Sequence, residues 1–366
     1  MAEREKYVDI AKAILILAVV IGHIKISFTS CGNLPDIRTF IYLWHVPVFF
    51  IIAGFFLNNK IFFSPVSFIK RKVKTLYLKL IIIYVIILLF HNFFIDIGWY
   101  DVNHDYLGKY VTYWTVFDFV ENIVKAVLLS GREVILGAMW FVYVLFIALC
   151  GFSIVSYISK RLESKKLSFE KIRFALVFIF FVVAYICTEY GYNIPRINNS
   201  FTAIWLIYIG YLIKVKYGIR FDNLWIAISG LIIVAGYTFI TVDGFSLNVN
   251  HFDSIIMLTI VSLCAIYFIC FLSKKLSHTF LSGVLTYIGR NSFYIMAFHF
   301  IGFKVCSSLL TLIDIPFTPS MVPNVGDNIL LWVTYILFGT AVPLVIIFLF
   351  NKVKSSIVRL YKYAKA

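Results

Sequence analysis

The sequence predicts an all-α membrane protein with about ten transmembrane helices. Hydrophobic residues make up 61% of the 366 residues and charged residues only 14%, whereas about a quarter of the residues of a soluble domain are charged. The mean hydropathy is +0.92. The apolar segments are also long enough, because a helix needs roughly 20 mostly apolar residues to cross the hydrocarbon of a bilayer. They are too long and too uniformly apolar for the alternating strands of a membrane barrel.

About ten stretches of the chain reach this length. They cover residues 8–29, 37–57, 76–95, 138–158, 172–189, 201–217, 222–241, 251–272, 284–309 and 328–350. An even number of spans places both termini on the same side of the membrane. We treat residues 1–366 as one transmembrane domain.

The distribution of Lys and Arg predicts the orientation. With the amino terminus in the cytoplasm, 24 of the 33 Lys and Arg residues fall on the inner side. Such an excess is typical of cytoplasmic loops, so both termini are predicted to be cytoplasmic. The net charge of +15 then suits anionic lipid headgroups and gives no reason to expect a nucleic acid partner. The six outer basic residues are Lys25, Arg38, Lys109, Lys125, Arg132 and Arg196.

The outer loop 96–137 is the only sizeable segment outside the predicted spans. Within it, FDFVENIVKAVLLSG spaces apolar residues as an amphipathic helix would, which predicts a helix along the outer interface. Its aromatic residues Trp99, Tyr100 and Trp114 could stack on sugar rings. The six cysteines form no CxxC pair, and no metal-binding spacing occurs, so no metal is predicted.

The first span carries two ionisable residues on one face. Lys12 and His23 are eleven residues apart, which places them about 20° apart around a helix and about 16 Å apart along it. Ionisable groups inside a span are costly and therefore suggest function. The structural alternatives are a lysine that reaches the inner interface and an imidazole that satisfies a helix contact. In the second span, His45 before Pro47 is at least as consistent with a structural role as with a catalytic one, since a side chain can bond the carbonyl that proline frees. Gly54 favours close helix packing.

Several motifs together resemble the acyltransferase-3 family of bacterial membrane proteins, in particular its subgroup of sugar O-acetylases. The first is Lys12-x10-His23 within DIAKAILILAVVIGH, and the second is LWHVPVFFIIAGFFL from Leu43 to Leu57. A third is the basic loop IKRKVKTLYLK, where Arg71 and Lys74 stand in place of an Arg-x-x-Arg pair. AMWFVYVLF from Ala138 and LTYIGRNSFYIMAFH from Leu285 complete the resemblance.

The resemblance implies transfer of an acyl group, usually acetyl from acetyl-CoA, to a hydroxyl of an envelope carbohydrate or a lipid-linked glycan. This would occur in the inner membrane of a bacterium. Anionic CoA should dock at the basic inner face, where we place Lys12, Arg71, Lys74 and Arg290. Arg290 could instead cap its helix.

His23 lies in the outer half of its predicted span and is the expected general base. His299 is the alternative base. The acidic partner of His23 is open among Glu189, Asp253 and Asp36. The competing function is a polytopic transporter or flippase for an envelope saccharide or lipid, although no inverted repeat is visible in the spans.

Overall fold

The structure is a computed structural model that describes residues 5–27, 36–58, 64–104, 106, 110–131, 133–192, 194, 196–241 and 244–363, with side chains described up to residue 356. Fifteen α-helices lie within these residues, which form no β-strand beyond two isolated bridge pairs. The predicted all-α class is confirmed. Cys31, Lys109 and Arg132 lie outside the described residues.

In chain order, the helices are α1 (Lys6–Gly22), α2 (Ile37–Tyr42), α3 (His45–Phe55), α4 (Pro65–Lys72), α5 (Leu78–Leu89), α6 (His91–Asp96), α7 (Val116–Val127), α8 (Trp140–Arg161), α9 (Phe169–Glu189), α10 (Ile197–Tyr211), α11 (Leu224–Thr238), α12 (Ile255–Leu276), α13 (Ser282–Arg290), α14 (Ser292–Leu310) and α15 (Ile329–Tyr363). One π-helical turn (Val73–Tyr77) joins α4 to α5, and another (Leu212–Lys216) extends α10. A 3₁₀ turn (Val134–Met139) leads into α8, and another (Thr311–Ile313) follows α14.

Six helical segments are long and apolar enough to cross a bilayer: Ile37–Phe55, Val134–Arg161, Phe169–Glu189, Ile255–Leu276, Ser292–Ile313 and Ile329–Ser356. Each coincides with a predicted span. The other four predicted spans contain shorter helices, of 17 residues in α1, 12 in α5 and 15 each in α10 and α11. The total of ten spans and the cytoplasmic position of both termini therefore stay predictions.

Three predicted spans are interrupted, which corrects the continuous helices expected over 37–57, 76–95 and 284–309. Trp44 separates α2 from α3 with non-helical backbone angles (φ −135°, ψ −28°). Pro47 then falls in the first turn of α3, where its missing N–H needs no partner. Asn291 separates α13 from α14, and Phe90 separates α5 from α6.

Helix α1 lies at the centre of the bundle, in contact with α2, α3, α12, α13, α14 and α15. Its approach to α13 depends on Gly289, because a Cβ atom there would lie 1.7 Å from the carbonyl oxygen of Asp9. Gly54 of α3 faces α10 in the same way, and its Cβ would lie 2.2 Å from Ile207 O. The close packing predicted at Gly54 is confirmed.

A loop after α14 ties that helix to the segment that follows α1. The backbone N–H of Lys25 donates to Pro323 O (2.8 Å), and its carbonyl accepts from the N–H of Val325 (2.9 Å). Lys304, which is buried on α14, donates to two carbonyls of the same loop, the nearer being Pro319 O at 2.6 Å. The outer end of α1 is thereby held beside α14.

The amphipathic helix predicted in the outer loop is α7. Thr115 and Asp118 form a reciprocal capping box at its start, and the hydrogen bonds from Thr115 lower the pKa of Asp118. Apolar side chains four residues apart are exposed along one face, including Val116 (77%), Val120 (56%) and Val124 (49%). Such a face suits the headgroup boundary of a bilayer, and the interfacial position of α7 stays a prediction.

Candidate active site

The outer end of α1 brings two histidines together. His23 follows the last residue of α1, and its ring centroid lies 5.1 Å from that of His299 on α14. Phe300 packs edge-on against His23, also at 5.1 Å. His299 is fully buried, whereas His23 is partly exposed. The two candidate bases therefore share one site, and His23 is the less buried of the two.

Backbone carbonyls fix the orientation of both rings. Nδ1 of His23 lies 2.7 Å from Val19 O, and Nδ1 of His299 lies 3.1 Å from Ile295 O and 3.0 Å from Met296 O. Because a carbonyl oxygen only accepts, each neutral ring carries its hydrogen on Nδ1 and keeps a lone pair on Nε2. Nε2 of His299 is buried, and no described residue hydrogen-bonds to it.

His45 is linked to this pair through Tyr42. Its own Nδ1 lies 2.8 Å from Ile41 O, and its ring centroid lies 5.1 Å from that of Tyr42. The Tyr42 hydroxyl donates to Gly22 O (3.0 Å), the carbonyl directly before His23. The hydrogen bond of His45 to a carbonyl at a helix break is the structural contact that its sequence context favours.

Among the described residues, no carboxylate hydrogen-bonds to His23. Asp36 caps α2 through a backbone N–H at 2.9 Å, and Asp253 accepts a tyrosine hydroxyl at 2.5 Å. Glu189 is exposed at the end of α9. The expectation of an acidic partner is therefore wrong for these three residues, since the carbonyl of Val19 orients the ring instead.

The inner end of α1 holds two of the predicted donor-binding cations on one buried carboxylate. Asp9 is 0% exposed, with Lys12 Nζ at 2.7 Å from one oxygen and Arg290 Nε at 3.1 Å from the other. Arg290 is 58% exposed, so its guanidinium also faces outwards. Asp9 was missed as a site residue, although its spacing of three residues from Lys12 on a helix is a signal for an ion pair.

The other two predicted donor-binding cations lie elsewhere on the inner basic segment. Arg71, on α4, places its guanidinium 5.4 Å from the ring centre of Phe68, and Lys74 lies in the π turn that follows. Helix α4 packs against α8. Within the described part of the chain, no hydrogen bond or ion pair connects either residue to the Asp9 cluster, defined as Asp9, Lys12 and Arg290.

The outer-loop aromatic residues are largely occupied by internal contacts. Trp114 stacks on His91 with centroids 3.6 Å apart, and Tyr100 is buried with its hydroxyl bonded to Glu133. Burial and the Glu133 carboxylate raise the pKa of Tyr100. Trp99 stacks on Phe94 and donates to a serine on α14. The structure thus gives these rings internal packing contacts, and their stacking on sugars stays a prediction.

Comparisons with known proteins give one match. The model of the acyltransferase-3 family, described as an acyltransferase domain, matches residues 5–350. No curated protein and no solved structure matches the chain significantly. The matched range contains both ends of α1, all three histidines of the site and every predicted donor-binding residue. The chain therefore belongs to the acyltransferase-3 family of membrane acyltransferases.

Proposed function

We propose that the protein transfers an acetyl or other short acyl group from cytoplasmic acyl-CoA to a hydroxyl of an envelope polysaccharide or a lipid-linked sugar, in the bacterial cytoplasmic membrane. One observation carries the proposal. Helix α1 bears the Asp9 cluster at one end and a partly exposed histidine, whose Nε2 carries the lone pair, at the other. Lys12 and His23 are about 16 Å apart along the helix, which is the order of length of the acyl-bearing arm of CoA. Family membership supports acyl transfer itself.

The cations of the inner face are the proposed site for the phosphates of CoA. Asp9 fixes Lys12 and Arg290 in place, and the guanidinium of Arg290 keeps N–H groups for phosphate oxygens. Arg71 and Lys74 extend this basic surface along α4 and the π turn, where they would attract the nucleotide end of the donor.

The proposed reaction begins with the acceptor hydroxyl at His23. Nε2 of His23 removes the hydroxyl proton while the hydroxyl oxygen attacks the thioester carbonyl carbon. The carbon–sulfur bond then breaks, the oxygen ester forms, and the CoA thiolate leaves and takes up the proton that His23 holds. The reaction is thus balanced without a further reactant.

Accessibility favours His23 over His299 as the base. His23 is partly exposed as a residue, whereas His299 is 0% exposed and packs against Phe300 and Phe303. His299 then supports the position of the His23 ring by packing against it.

The test compares three histidine variants in cells that lack the wild-type gene. His23→Ala, His299→Phe and the control His251→Ala, an exposed residue just before α12, are brought to matched membrane levels, and ester-linked acyl groups on envelope polysaccharide are measured by mass spectrometry. His23→Ala should lower transfer by about 100-fold or more, the usual contribution of a general base. His299→Phe keeps an aromatic ring in the buried position and should stay within about tenfold of the control.

Two other results would each overturn one part of the proposed function. Full acylation in the deletion strain would leave the proposed reaction without support there. Loss with His299→Phe but not with His23→Ala would move the base to His299.

A further inference from the structure

One cation, Arg38, lies beside His23 on the predicted outer side, where basic residues are scarce. Of the other outer basic residues that the structure describes, Lys125 is paired with Glu121 at 2.5 Å, and Arg196 lies 5.9 Å from the ring centre of Tyr143. Arg38 has no ion pair with any described carboxylate. The positive-inside bias makes cations scarce on this side of a membrane protein, so the position of Arg38 next to the candidate base needs a reason.

The guanidinium of Arg38 is anchored by one edge only. Its Nε donates to Gly22 O (3.1 Å), the same carbonyl that accepts a hydrogen bond from the Tyr42 hydroxyl. The guanidinium carbon Cζ lies 5.5 Å from the centre of the Tyr42 ring. Within the described part of the chain, its two terminal nitrogens make no hydrogen bond. The side chain is partly exposed. The Nε side of the guanidinium is therefore held beside His23. The two terminal nitrogens, which can bind an oxyanion together, have no hydrogen-bond partner among the described residues.

Neighbouring groups do not neutralise the guanidinium. The carboxylate of Asp36 bonds to the backbone N–H of Arg38 (2.9 Å) and forms no ion pair with its guanidinium. The guanidinium of Arg38 therefore keeps its positive charge beside His23.

We propose that Arg38 binds an anionic group of the acceptor, a carboxylate or a phosphate, and so places the neighbouring hydroxyl at His23. A guanidinium fork matches both oxyanions through paired N–H donors. The group would be either a uronic acid carboxylate within the glycan or the phosphate of a phosphate-linked glycan. This proposal rests on the proposed acyl transfer, whose base is the adjacent residue.

A purely structural role for Arg38 makes a different prediction. A cation at the end of α1 also interacts favourably with the carboxyl end of the helix dipole. Lysine would serve that purpose as well as arginine, and it would do so regardless of the acceptor. Binding of matched charged and neutral saccharides therefore separates the two roles.

The experiment measures binding to the full chain in nanodiscs by titration calorimetry. The probes are a hyaluronan tetrasaccharide, the same tetrasaccharide after carboxyl reduction, and a glycerol phosphate tetramer. The wild-type protein should bind at least one charged probe about tenfold more tightly than the reduced probe. Arg38→Gln should abolish this preference, Arg38→Lys should weaken it, and Lys125→Gln should leave it unchanged.

The carboxylate and phosphate probes identify the source of the anion. Equal binding of charged and reduced probes, no binding of any probe, or unchanged preference in Arg38→Gln would overturn the proposal. Arg38→Lys guards against a folding defect, because it retains the cation at the end of α1.

Acyl transfer is measured separately with acetyl-CoA and the same probes. Charge-dependent binding without transfer would support the anion site and count against the proposed function. Transfer to charged and reduced probes alike would support the function and overturn the anion site.

Discussion

The histidines of the site are oriented without carboxylates. At His23, His45 and His299, Nδ1 contacts a carbonyl four residues earlier on the chain. A carboxylate at this place would have to be desolvated within an apolar bundle, which is costly, whereas a backbone carbonyl is already present. The three rings can therefore be held in place without a buried carboxylate, and in His23 the lone pair of Nε2 can accept a proton.

Among the charged side chains, we expect the loss of Asp9 to lower the free energy of unfolding most. Asp9→Asn keeps the shape of the side chain but leaves Lys12 and Arg290 without their shared counter-ion. The expected loss is about 3 kcal/mol, the lower end for a broken buried pair, since Arg290 is 58% exposed. Thermal unfolding in detergent measures the stability, and the KM for acyl-CoA should rise as the two cations lose their fixed positions.

The matched control is Lys125→Ala, which removes a surface pair with Glu121 and should leave the melting temperature unchanged. An Asp9→Asn protein as stable as this control would contradict the expectation.

Some of the site residues could be predicted from the sequence, whereas their partners could not. Lys12, His23, His299 and Arg290 stand out because charge or imidazole is rare inside apolar runs, and the structure joins them in two pairs. The contact between Arg290 and Asp9 spans 281 residues of chain, so spacing along the sequence could not reveal it. Spacing likewise does not reveal the surroundings of Arg173, which is buried among aromatic rings with its guanidinium 4.3 Å from the Tyr211 ring centre.

The helices themselves were predicted better than their interruptions. Apolar composition marks a span because lipid requires it, yet the apolar character continues through Trp44 and Phe90, where the backbone leaves the helix. Pro47 predicts that a helix begins close to it, but it does not predict that a second helix ends just before. Likewise, no particular residue composition marks the two π-helical turns. Breaks of this kind depend on tertiary packing, which a pattern of apolar residues does not describe.

The approach of α1 and α13 should depend on a single glycine. Gly289→Ala would place a methyl group 1.7 Å from Asp9 O, so the helices must separate and the Asp9 cluster must open. We expect a large loss of folded protein, measured as the monodisperse fraction after detergent extraction. Gly283→Ala on the same helix is the control, because nothing lies within 4 Å of its added Cβ. Equal yields of the two variants would contradict the close packing.

The orientation of the complete chain is testable by cysteine labelling. In a background without the six native cysteines, Lys165→Cys and Phe280→Cys should react with an impermeant maleimide only after the cells are permeabilised. Asn103→Cys and Asn324→Cys should react on intact cells. All four positions are exposed, so an unexpected side would overturn the positive-inside assignment and the even number of spans.

The central position of α1 has a consequence for biosynthesis. This helix is made before its partners α13, α14 and α15, and Lys25 pairs with residues near 324. The first span must therefore wait in the membrane, with Asp9 and Lys12 as a local ion pair, until those helices have been inserted. Contacts so distant in sequence form slowly. A chain that stops before α13 would carry His23 without His299 or Arg290, so activity can begin only after these late helices have been translated.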